Sequence, residues 1–235
     1  MTQIYCAIDT PDVARATELA RLVSDAGCGV KLGLEFFASN GPAGIAAVSK
    51  ACPDAQIFMD VKFHDIPNTV AGALRGAARL GVAYVNVHAS GGADMMRAGQ
   101  DALVDESARL GLPTPKLLAV TVLTSIDEVA LQSVGMQGPA KDQVVRLARL
   151  TQQSGLAGIV CSGQEISLVR AALGADLVLM VPGIRPVGSE VGDQKRVMTP
   201  KEAMDAGATH LVIGRPITGA TDPAAAARAI LETLS

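Results

Sequence analysis

The sequence has no tryptophan, and only two tyrosines and four phenylalanines among 235 residues. A core must therefore be built from Ala, Val, Leu, Ile and Met. With 49% apolar and 18% charged residues, a large one is within reach. Positive charge is not in excess, since the formal net charge is −3. That argues against nucleic acid or an anionic membrane as a partner. No apolar run reaches the roughly 18 residues that a membrane-crossing helix needs. The start, MTQIYCAIDT, lacks the basic residues and long apolar stretch of a secretory signal. Together these absences predict a cytoplasmic protein. Cys6, Cys28, Cys52 and Cys161 show no C-x-x-C spacing, and two of them lie inside apolar runs. They read as packed, reduced thiols rather than a metal or redox site.

Eight short apolar runs are present. They are IYCAID (4–9), GVKLG (29–33), QIFMDVK (56–62), YVNVHA (84–89), KLLAVTVL (116–123), GIVCS (158–162), LVLMVPG (177–183) and HLVIGRP (210–216). Ala- and Leu-rich helical stretches separate them. Thr10-Pro11 and Thr199-Pro200 each place a cap before a proline suited to the first helical position. Thr199 and Glu202 also fit a capping box. Gly27, Gly81, Gly155, Gly174 and Gly207 follow helical runs where a left-handed residue is needed. Strand-then-helix, eight times over, predicts a single (β/α)8 TIM barrel spanning 1–235 as one catalytic domain. The rival is an open doubly wound sheet. Its usual glycine-rich first turn is missing, because the first turn here is DTPDVA. In a barrel the long excursions 124–142 and 184–198 cover the C-terminal mouth, where active sites lie.

Charge then appears where strands should be apolar. Asp9 ends the first run, Lys31 lies inside the second, and Asp60 and Lys62 sit two apart at the end of the third. Alternation puts Asp60 and Lys62 on one face. A buried charge costs several kcal/mol unless it is paired. Four such residues on three consecutive strands predict a functional array at the mouth, in preference to an ion network that merely stabilises the barrel.

The stretch Asp60–Thr69, DVKFHDIPNT, resembles the D-x-K-x-x-D-I-P-x-T signature of the orotidine 5′-phosphate decarboxylases, in their bacterial-type arrangement. Further matches follow in order: AIDT (7–10), VKLG (30–33), NVHASGG (86–92), VTVLTS (120–125), VPGIRPVG (181–188) and VIGRPI (212–217). The resemblance implies decarboxylation of orotidine 5′-monophosphate to UMP without metal or organic cofactor. It implies Lys62, Asp60, Lys31 and Asp65 as catalytic residues, with Lys62 as cation and proton donor at C6. Asp65, Ile66 and Thr69 would serve the neighbouring subunit's site, which makes the implied enzyme a homodimer with shared active sites. Asp9 and Thr69 would meet ribose hydroxyls, and Thr124, beside Ser125, the pyrimidine amide edge. Helix capping before IDEVALQ is the alternative role for Thr124 and Ser125, and both roles can hold. Arg185, Gln194, Gly214 and Arg215 would hold the phosphate, with the 184–194 loop closing over it. His64 is expected to order its loop by hydrogen bonding, and His88 to be structural.

Two other readings compete with this one. A relative acting on keto sugar phosphates would share Asp-x-Lys but use a divalent metal, and the I-P-N-T continuation argues against it. A non-catalytic nucleotide sensor would have lost a member of the charge array, and none is lost.

Overall fold

The β-branched apolar runs form eight short parallel strands, because each can bury both of its faces: β1 (Ile4–Ile8), β2 (Gly29–Gly33), β3 (Ile57–Phe63), β4 (Tyr84–His88), β5 (Lys116–Val120), β6 (Gly158–Val160), β7 (Val178–Val181) and β8 (His210–Ile213). Each pairs with the next, and β8 pairs with β1 through Tyr5 and Val212, which closes the barrel. The computed structural model describes residues 3–186 and 198–234. Helices α1 (Val13–Asp25), α2 (Leu34–Ala51), α3 (Pro67–Arg79), α4 (Ala93–Leu110), α5 (Glu128–Ser133), α6 (Ala140–Gln153), α7 (Ile166–Leu173), α8 (Pro200–Asp205), α9 (Arg215–Thr218) and α10 (Pro223–Glu232) lie between and after the strands. No helix among the described residues is long and apolar enough to cross a membrane.

Strand alternation divides the core into two layers. Ile4, Cys6 and Ile8 of β1 face outward to the helices, while Tyr5 and Ala7 face the barrel interior. The outer layer is mostly aliphatic, as composition predicts, with Phe36 buried in it. The interior is not, and this corrects the expectation of an aliphatic core throughout. At the barrel's N-terminal end Tyr5 and Tyr84 meet each other, Phe58 and His210, with ring centroids 5.3 to 6.3 Å apart. Broad rings fill the space that a closed eight-stranded ring leaves at its base. Gly29 admits Tyr5, since a Cβ there would lie 2.5 Å from its ring.

His210 is buried within this plug. Its Nδ1 lies 2.8 Å from Thr209 Oγ1, and its Nε2 lies 3.2 Å from the Tyr84 hydroxyl. The Thr209 hydroxyl donates to the Leu179 carbonyl. The Nδ1–H tautomer therefore satisfies every partner, and the ring is neutral. Burial, then the charge of Lys116, depresses the imidazole from its ordinary value to about 4. The unfolded chain binds this proton first, so stability is full above pH 6.5 and falls as the pH drops towards 4. The expected loss is about 3 kcal/mol over that window. Urea melts of wild type and His210→Gln should show this acid slope in the wild type only, and parallel curves would contradict it.

Helix-end signals hold with one exception. Thr199 caps α8, with Glu202 completing the box. The five glycines expected in left-handed conformations all have positive φ. Thr10, however, does not cap α1. Asp12 does, accepting from Ala14 and Arg15 N–H, and Pro11 lies in the preceding turn. A carboxylate two residues further on is a better acceptor for those orphan donors. All four cysteines are buried and free of disulfides. Burial raises the thiols, with Cys6 at about 12 and Cys28 at about 11, so they stay protonated.

Candidate active site at the barrel mouth

Parity along β3 sends Phe58 into the barrel and Asp60 to its upper rim. Above Asp60 the ladder slips. Met59 pairs with Val85 and Phe63 with Val87, so four positions on β3 span two on β4. Within the slip Lys62 has φ +52°, the one positive φ outside glycine among the described residues. Such a backbone is strained for a residue with a Cβ, and bulges of this kind re-aim side chains beside active sites. Here the ammonium of Lys62 meets Asp60 Oδ1 at 2.6 Å.

Asp60 is the hub. Its Oδ2 lies 3.5 Å from Lys31 Nζ, and Lys31 in turn lies 3.1 Å from Asp9 Oδ1. Asn86 Nδ2 donates to Asp60 Oδ1 at 2.7 Å. Burial pushes the Asp60 carboxyl up, but Lys31, Lys62 and the hydrogen bonds outweigh it, leaving the group below its ordinary range. Lys31 is buried, whereas Lys62 keeps 30% of its side chain exposed. One lysine is thus locked in the wall while the other presents its charge to the cavity.

That cavity has a volume of about 490 Å³ and includes Thr124 after β5 and Arg185, Gly214 and Arg215 after β7 and β8. Asp127 caps α5, so Thr124 and Ser125 do not serve as its cap. Arg185 is buried and donates to the Ile184 carbonyl at 3.0 Å. Burial and then the nearby Arg215 charge lower its guanidinium from the ordinary value. Two guanidiniums lining one cavity suit an anionic group there. The cavity therefore offers an ammonium–carboxylate array to one end of a ligand and paired guanidiniums to the other.

Comparison with known proteins decides the kinship. The chain matches the family described as "Orotidine 5'-phosphate decarboxylase / HUMPS family" over residues 2–230. It belongs to that family. An orotidine 5′-phosphate decarboxylase of Paramagnetospirillum magneticum is 56% identical over 224 residues, covering 95% of this chain and 94% of that one. Another, of Rhodospirillum rubrum, is 54% identical over 98% of this chain and 94% of its own length. The crystal structure of orotidine 5′-phosphate decarboxylase from Lactobacillus acidophilus superposes with a TM-score of 0.88 at 34% identity, covering both chains fully. The family description joins two names, and these relatives carry the decarboxylase name alone.

Among the residues that the decarboxylase signature singles out, Asp9, Lys31, Asp60, Lys62, Thr124, Arg185, Gly214 and Arg215 converge on the cavity. Asp65, Ile66 and Thr69 do not line it. They sit on the exposed segment 64–69, with Ile66 67% exposed, and Asp65 accepts from the Ile66 N–H. Gln194 and most of the 184–194 loop lie outside the described residues. His64 packs its ring against His88, centroids 5.5 Å apart, and makes no hydrogen bond to a described residue. That corrects the expected anchoring role: the exposed loop is held at His64 by ring contact. Sequence reading missed Asn86. It lies within the quoted NVHASGG, and its one signal was an amide inside an apolar strand.

Proposed function

We propose that this chain, a carboxy-lyase by family, converts orotidine 5′-monophosphate to UMP and CO2, the closing step of de novo pyrimidine nucleotide synthesis. The observation that carries the reading is the Asp60–Lys62 contact at 2.6 Å in a cavity whose far end holds Arg185 and Arg215. Loss of CO2 from C6 leaves an electron pair in the ring plane, where the π system cannot take it up. Lys62 supplies a positive charge beside that carbon and then the proton. A unit charge at about 4 Å and an effective dielectric near 20 is worth roughly 4 kcal/mol, about a thousandfold in rate. Asp60 holds the ammonium in place and sits where the departing carboxylate must lie. Lys31 balances Asp60 and fixes it against Asp9.

The remaining assignments follow the same scheme. Asp9 and Thr69 take the ribose hydroxyls, and Thr124 takes the pyrimidine edge. Arg185 and Arg215, with Gly214 and Gln194, take the phosphate, and binding there helps to close the site. Asp65, Ile66 and Thr69 reach the site of a second copy, so the working unit is a homodimer. Their exposure in the single chain, with Ile66 67% exposed, is consistent with contact to a second copy. Chain 1–235 acts as one catalytic domain in the cytoplasm, without metal.

A spectrophotometric assay with orotidine 5′-monophosphate, with and without EDTA, tests the reading. Full activity in chelator is expected. Activity lost on chelation and restored by a divalent ion would favour the metal-dependent sugar-phosphate chemistry instead.

A further inference from the structure

We propose that Asn86 is a positioning residue for Lys62. Its one side-chain amide holds both the backbone of the lysine and the carboxylate that the lysine grips. The proposal rests on the reading of Lys62 as the reacting cation.

Three observations converge. Lys62 is left-handed at φ +52°, a conformation that a residue with a Cβ does not hold unaided. At that point β3 and β4 are out of step, and the Lys62 N–H donates to Asn86 Oδ1 at 2.8 Å in place of a strand carbonyl. Asn86 Nδ2 then donates at 2.7 Å to Asp60 Oδ1, the same oxygen that receives Lys62 Nζ at 2.6 Å. Main chain, amide, carboxylate and ammonium thus close a ring. Asn86 is fully buried, so water does not replace either bond.

The residue type follows from the bonding. An amide carries an acceptor and donors on one planar group. Leucine, with the same branched skeleton of heavy atoms, leaves the Lys62 N–H and an Asp60 lone pair unsatisfied. Aspartate keeps the acceptor but sets a second carboxylate against Asp60. The pKa of such a pair is driven up for one member. Once protonated, that aspartic acid again offers an O–H to Asp60 and a carbonyl to Lys62.

The test compares Asn86→Leu and Asn86→Asp with wild type by kcat, UMP affinity and crystal structure. Asn86→Leu should lose about a hundredfold in kcat, the scale of a misplacement near 1 Å, while UMP binding stays within about threefold. In its crystals Lys62 should leave the left-handed region. Asn86→Asp should be similarly poor at neutral pH, and its kcat relative to wild type should rise as the pH falls. A merely structural role would lower the melting temperature without that pH-dependent ratio. The proposal is overturned if both variants keep kcat within about threefold, or if Lys62 holds its conformation and its contact with Asp60 in Asn86→Leu. A wild type that fails to turn over orotidine 5′-monophosphate would sink the functional reading instead. The Lys62 conformation in the Asn86→Leu crystals would still decide the positional claim.

Discussion

Lys62→Ala should lose at least a thousandfold in turnover of orotidine 5′-monophosphate and still bind UMP. The magnitude is the roughly 4 kcal/mol that a nearby cation contributes, and loss of the proton donor adds to it. Binding survives because the guanidiniums proposed to hold the phosphate, Arg185 and Arg215, lie after different strands from Lys62. The protein should fold. Alanine removes a charge that is 30% exposed, and Lys31 remains to balance Asp60. Steady-state kinetics beside calorimetric titration with UMP separates the two effects. Near-normal turnover would remove Lys62 from its role. Loss of turnover and UMP binding together would make it a binding residue.

The second large effect concerns two inactive proteins. Lys62→Ala and Asp65→Ala, mixed under conditions that exchange subunits, should recover roughly a quarter of wild-type activity. Half of the dimers formed at random are mixed, and one of the two shared sites in each is fully wild type. The segment 64–69 motivates this, since all six residues are exposed and none of them lines the cavity of its own chain. Subunit exchange is followed with a tagged partner. No recovery despite proven exchange would mean that Asp65 acts within its own chain.

Much of this was readable from the residues because two simple patterns ran through them. Apolar runs broken by capping signals gave the strand count, and β2 falls at 29–33 as expected. Other runs overshoot. The fifth was expected to reach 123, but β5 stops at Val120 and the chain turns to bring Thr124 to the cavity. Residues that line a mouth are apolar on one side, so composition alone does not tell them from strand. Charge in an apolar context exposed Asp60, Lys62 and Lys31, since burial without a partner is too costly to be accidental. Alternation placed Asp60 correctly. For Lys62 it reached the right rim by a different path, because the backbone there is bulged and left-handed.

What stayed hidden shares a cause. Asn86 is uncharged and sits in the middle of a strand, so neither periodicity nor charge singled it out. Its role depends on a register slip between two strands, which is a property of the pair. The aromatic base was equally invisible, because Tyr5, Phe58, Tyr84 and His210 come from four strands and meet only on closure. Asp12 displaced Thr10 as the α1 cap because both precede the same helical run and only the turn geometry chooses between them.

The central claim is a cation held against C6 of the pyrimidine. A crystal structure of the chain with UMP bound tests it most directly. The account predicts Lys62 Nζ about 3 to 3.5 Å from C6, in the ring plane, with Asp60 still in contact with the ammonium. A UMP ring with Lys62 turned away, and no other positive group beside that carbon, would contradict it.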